Sequence, residues 1–108
     1  MQMFSVYDSK VQSYSIPFYS RTAEDALRKF SASVNDLKTP YSFHPEDYTL
    51  FHIGEFLIAT GSGSIFSAYI SLANGKEVVD QDLRQLIAFA ELSPQEREKL
   101  VTEMKKES

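Results

Sequence analysis

Residues 48–58, Tyr48-Thr49-Leu50-Phe51-His52-Ile53-Gly54-Glu55-Phe56-Leu57-Ile58, carry the longest strand signal in the chain. Phe51, Ile53 and Leu57 alternate with Leu50, His52 and Phe56. Successive strand side chains point to opposite faces, so this spacing covers both faces of the strand in part. Gly54 interrupts the pattern and marks a bulge. Thr60-Gly61-Ser62-Gly63-Ser64 is a flexible turn, and residues 65–73 return as the partner strand. Asn74-Gly75 then reads as a further turn.

Upstream, residues 3–7 and 13–20 are two short aromatic and β-branched runs joined by a polar link, which predicts a β-hairpin. Within the second run Tyr14, Ile16 and Phe18 share one side, with Pro17 and Tyr19 on the other. Pro17 has no N–H for a ladder bond, so that strand lies at an edge or breaks there. Thr22 caps a helix whose Ala23, Ala26, Leu27, Phe30, Val34 and Leu37 form one apolar stripe. Arg28 and Lys29 fall off the stripe and are solvated. Pro40 closes this segment, and residues 40–47 are a turn-rich loop with two prolines.

Downstream, Asp80 caps a second helix with Leu83, Leu86, Ile87 and Ala90 inward. Ser93-Pro94-Gln95-Glu96 reads as an N-cap, a first-position proline and a capping-box acid. It opens a third helix with Leu100, Val101 and Met104 inward. That helix packs on its own sheet or exchanges with a second copy, and the sequence prefers neither. The order β-β-α-β-β-α-α predicts an α+β fold, an antiparallel sheet of about four strands with helices on one face. The 108 residues fit one domain, with the sheet and first helix in 1–75 and the C-terminal helices in 76–108.

Composition narrows the function. With no cysteine, neither a disulfide nor a thiolate metal site holds the fold. No window approaches the roughly 18 apolar residues that span a bilayer, and the N-terminal residues lack the pattern of a secretory signal. The net charge of −4 works against a nucleic-acid reading, because phosphate neutralisation supplies most sequence-independent affinity. The charge is uneven, however. Residues 1–43 hold five basic and four acidic residues, whereas residues 44–75 hold three acids and no base.

No nucleophile elbow, phosphate-binding glycine loop or complete dinucleotide fingerprint is present, so an enzyme is not expected. His44, His52, Glu46, Asp47 and Glu55 lie close in sequence but without a ligand spacing, so no metal and no cofactor is expected. Eleven of the fourteen aromatic residues fall in residues 1–56, more than one small core buries. Exposed rings of that kind stack on bases at roughly 1–3 kcal/mol per base, and they serve protein interfaces equally well. The candidate nucleic-acid-binding residues are therefore Tyr7, Tyr14 and Tyr19 as stacking rings, with Lys10, Arg21, Lys29 and Lys38 as phosphate partners.

Three stretches carry a family resemblance: Val6-Tyr7-Asp8-Ser9-Lys10; Val34-Asn35-Asp36 with Lys38-Thr39; and His44-Pro45-Glu46-Asp47-Tyr48-Thr49-Leu50-Phe51 with Gly54-Glu55-Phe56. Together, over roughly residues 3–61, the chain resembles the small nonstructural protein of gokushoviruses, single-stranded DNA phages of the Microviridae. Leu57 departs from the pattern, where a polar residue is expected. The resemblance implies a non-enzymatic protein that is absent from the virion and resides in the host cytoplasm. It also implies binding to single-stranded DNA during genome replication or the switch to single-strand synthesis and packaging. It brings no site residues with it. A homodimer and a phage or host replication protein are the further expected partners; an adaptor that binds a protein and no nucleic acid is the rival reading.

Overall fold

A computed structural model of the chain describes residues 1–80, 89–90 and 92–107, without the side chains of 80 and 103–107. The strands are β1 (Gln2–Asp8), β2 (Ser13–Tyr14), β3 (Phe18–Ser20), β4 (Tyr48–Leu57) and β5 (Ser62–Asn74). The helices are α1 (Ala23–Val34), α2 (Gly75–Asp80) and α3 (Pro94–Glu107). Two single 3-10 turns, Pro40–Ser42 and Pro45–Asp47, lead from α1 into β4. The sheet is antiparallel throughout, in the order β2-β1-β4-β5, with β3 pairing β1 beyond β2. The α+β class is as expected, with five strands in place of four.

The extra strand comes from Pro17. The second hairpin arm splits around residues 15–17, and both pieces pair with β1. Tyr14 lies opposite Tyr7 and Phe18 opposite Phe4, so the broken arm contains one residue more than β1 between the two pairs. A one-residue slip moves side chains to the other face. Tyr14 and Phe18 therefore do not share a side, as their even spacing suggests. Phe18 packs against the core, Tyr14 faces away from it, and Ile16 between them is 90% exposed.

The bulge at Gly54 is present. The register shifts between Met3 and Phe4 on β1 and between His52 and Gly54 against β5. Any Cβ at Gly54 would fall on the Ser64 carbonyl oxygen, so the close approach of β5 there requires glycine.

One core holds the sheet to its helices. Phe4 and Val6 of β1, Leu50 of β4 and Leu72 of β5 meet Ala26, Leu27, Phe30 and Val34 of α1. Val78 of α2 and Ala90 close the cluster. Thr22 Oγ1 accepts from the Asp25 N–H at 3.1 Å, the expected N-cap. Leu37, expected in the stripe, is 80% exposed because α1 stops at Val34. Asn35 ends the helix without left-handed geometry: its φ is −91°, and its side-chain amide donates to the Ser31 carbonyl at 2.8 Å.

At the end of β5 the sequence reading needs correction. Asn74-Gly75 is not a hairpin turn but the start of α2. Asn74 Oδ1 accepts from the Lys76 N–H, and Glu77 Oε1 accepts from the Asn74 N–H, both at 2.9 Å. These reciprocal bonds are a capping box. Asp80 is the last residue of α2, and the helix expected to start from it runs through residues outside those described. Leu83, Leu86 and Ile87 lie outside the described residues. Ser93 caps α3 as expected, with Pro94 at its first position and the Glu96 N–H on Ser93 Oγ at 3.2 Å. Leu100 and Val101 are 38% and 39% exposed rather than inward; the buried residue of the first turns is Arg97, 2% exposed.

Candidate nucleic-acid interface

Strand alternation gives the sheet a second face, turned away from α1. Because Val6 and Leu50 point to the core, Tyr7 and Phe51 point outward. The register slip brings Tyr14 to the same side, and Tyr69 of β5 joins it. The four rings form one cluster. Tyr7 and Tyr14 have centroids 4.7 Å apart, Tyr14 and Phe51 5.8 Å, Tyr14 and Tyr69 5.5 Å at 89°. Tyr7 meets Phe51 edge-on at 6.4 Å. Such tilted and edge-to-face contacts suit the ring quadrupoles and fix the cluster as one surface. Tyr14 and Tyr69 remain 46% and 42% exposed.

The remaining candidates lie elsewhere. Tyr19 packs edge-on against Phe56 at 5.9 Å. With Ile16, Phe18, Lys29 and Tyr41 it also lines a groove of about 390 Å³ between the split hairpin arm and α1. Lys29 Nζ is held there by Asp25 Oδ2 at 3.2 Å and Ser20 Oγ at 3.1 Å, so much of its charge is already matched. Lys10 sits exposed in the β1–β2 turn, on the same hairpin as Tyr7 and Tyr14. Arg21 and Lys38 are exposed beyond opposite ends of α1, a helix of about 18 Å at 1.5 Å per residue. The structure thus brings Tyr7 and Tyr14 together, keeps Lys10 on their hairpin, turns the Tyr19 ring outward against Phe56 at the other end of β1, and leaves Arg21, Lys29 and Lys38 on α1 or beyond its ends. Phe51 and Tyr69 are the ring residues the sequence reading did not assign. Phe51 is one of the surplus aromatics of residues 1–56; Tyr69 stands in an alternating run with nothing to distinguish it.

The chemistry-bearing residues of the middle segment separate into two environments. His44, Glu46 and Asp47 gather at the Pro45 turn, with their ligand atoms within 4.8 Å of one another and His44 and Glu46 exposed. His52 is elsewhere, 3% exposed on the core side, so the two histidines do not converge. Its ring stacks on Phe4 at 4.8 Å and meets Phe66 edge-on at 4.9 Å. His52 Nδ1 accepts from Arg97 Nη2 at 3.3 Å, which puts the ring proton on Nε2, donating to Gln2 Oε1 at 2.8 Å. Burial, and then the Arg97 charge, push the His52 pKa down to about 4, against an opposing backbone hydrogen bond at Gly54. His52 is therefore a neutral core residue. Its polar neighbours are Gln2 and Arg97.

The sequence model of the Phage ORF5 protein family matches residues 1–78. The chain belongs to that family. The match takes in the whole sheet, α1 and the start of α2, and with them all four rings of the outer cluster. Arg97 and α3 lie beyond the matched family region. No curated protein and no solved structure matches the chain.

Proposed function

We propose that this member of the Phage ORF5 family is a non-enzymatic phage protein of the gokushovirus type that binds single-stranded DNA. The observation that carries the reading is the Tyr7, Tyr14, Phe51 and Tyr69 cluster on the sheet face turned away from α1. Aromatic platforms on open sheet faces accept unpaired bases of any sequence. Lys10, on the same hairpin, is the nearest phosphate partner in sequence to these rings. The protein acts in the host cytoplasm, outside the virion, as a homodimer, during genome replication or the switch to single-strand synthesis and packaging. A phage or host replication protein is its further partner.

The test is an electrophoretic shift with unlabelled competitor, using oligothymidylate at low salt. A complex at micromolar protein that weakens as salt rises supports the reading. No complex under those conditions overturns it.

One observation favours the second reading, an adaptor that engages a protein and touches no nucleic acid. The β4–β5 hairpin carries exposed Leu57, Ile58 and Ile65, at 49%, 71% and 54%, within a segment that holds acids and no base. Exposed apolar side chains gathered in one place mark protein contacts. In that case Leu57→Ser with Ile65→Ser abolishes capture of the phage or host partner, and the oligothymidylate shift is absent from the start.

A further inference from the structure

Arg97 presents an imbalance among the described residues. Its guanidinium is buried, with Nε on the Leu92 carbonyl at 2.9 Å and Nη2 on the neutral His52 ring. Nη1 is buried with no hydrogen-bond partner among the described residues. Among the described residues no carboxylate forms an ion pair with it. A buried charge without a counter-charge costs several kcal/mol and is retained where something completes it.

Two openings meet at this side chain. The smaller, about 410 Å³, also has Glu24 and Glu55 in its wall and is a poor place for an anion. The larger is a cleft of about 530 Å³ between β5 and α3. Phe66 and Phe89 line it from the core side, Thr102 and Arg97 line it from α3, and Tyr69 and Ser71 border it along β5 with their side chains turned to the outer face. Glu98 is the one carboxylate among its described wall residues, and it is exposed. The volume falls in the range of small-molecule sites. Rings beside a hydroxyl and an arginine are the donor set of a nucleoside phosphate: aromatic faces for the base, a hydroxyl for the sugar, guanidinium for the phosphate.

We propose that the β5–α3 cleft is a nucleoside-phosphate site, with Arg97 as its phosphate anchor. Tyr69 borders this cleft and belongs to the outer ring cluster. A strand lying on that cluster reaches the cleft by passing over β5, the edge strand. The strand-bound form of the site rests on the single-stranded DNA reading; the cleft itself does not.

The experiment is calorimetric titration of the full chain with thymidine 5′-monophosphate, thymidine, inorganic phosphate and oligothymidylate. The expected result is that the monophosphate binds about tenfold or more tightly than thymidine, the value of a charge-assisted hydrogen bond. In Arg97→Met that preference disappears. Val101→Trp, which fills the cleft from its exposed rim and leaves Arg97 intact, weakens monophosphate binding and keeps the proposal testable if the arginine variant fails to fold. Tyr14→Ala weakens oligothymidylate binding only. Equal affinity for thymidine and its monophosphate overturns the proposal, as does a phosphate preference that survives in Arg97→Met. Oligothymidylate binding with no monophosphate preference sinks the cleft and leaves the ring cluster standing. Monophosphate binding with no oligothymidylate complex does the reverse, and makes the free nucleotide the ligand.

Discussion

Leu50 and Phe51 are chain neighbours on β4, yet they belong to opposite faces of the sheet. On the α1 side, Phe4, Val6 and Leu50 are at most 6% exposed, sealed by one helix stripe and two short helical contributions. On the other side, rings of similar size keep more than two-fifths of their surface at Tyr14 and Tyr69. The inner face is organised by removal of apolar area from water. The outer face is organised by ring-to-ring contacts that hold aromatic surface in place without hiding it. Burial and exposed aromatic surface are thus assigned to alternate residues of the same strands.

That division can be broken residue by residue. Leu27→Ala, at the centre of the inner face, is expected to lower unfolding free energy by about 2–5 kcal/mol in urea titration. A loss well under that range would mean that α1 does not seal the sheet. Next is the pH dependence at His52. Its folded pKa lies near 4, below the ordinary 6.5, so the unfolded chain binds the extra proton. Its contribution is fully present above pH 6.5 and is lost as pH falls toward 4, to about 3 kcal/mol at most. Subtracting the stability–pH curve of His52→Gln from that of the parent should isolate this slope, and identical curves would contradict the buried neutral ring. Tyr14→Ala should cost about 1–3 kcal/mol of oligonucleotide binding while leaving chemical stability within about 1 kcal/mol. Equal losses in both measurements would place Tyr14 with the inner face after all. Smallest is Leu37→Ser, an apolar residue left outside the division, expected to shift stability by less than about 0.5 kcal/mol.

Much of this was legible in the sequence because it rests on local chemistry. Thr22, Ser93 and Pro94 announce helix starts whatever surrounds them, and Gly54 and Pro17 announce breaks in strands. The faces were harder. Pro17 foretold a break but not the one-residue slip, and that slip alone moves Tyr14 away from the core and away from Phe18. The stripe overran to Leu37 because periodicity continues past the point where Asn35 turns its amide back on the helix. Arg97 was illegible for a different reason: a charged residue on a mixed helix reads as solvated, and only the position of His52 across the core shows otherwise. The ring cluster was half visible, since Tyr7 and Tyr14 stand in one hairpin, whereas Phe51 and Tyr69 reach them only through sheet order.

Gly75 and the Pro45 turn have a consequence for which segments of this domain can be exchanged separately. A Cβ at Gly75 would land on the Pro45 carbonyl, and the Asn74 amide donates to the Glu46 carbonyl at 2.9 Å and to Thr49 Oγ1 at 3.1 Å. The two segments, some thirty positions apart in the chain, are therefore two halves of a single hinge-pin. A chimera that imports residues 44–49 from a relative without residues 74–75, or the reverse, joins mismatched halves; one that moves both together carries the corner intact.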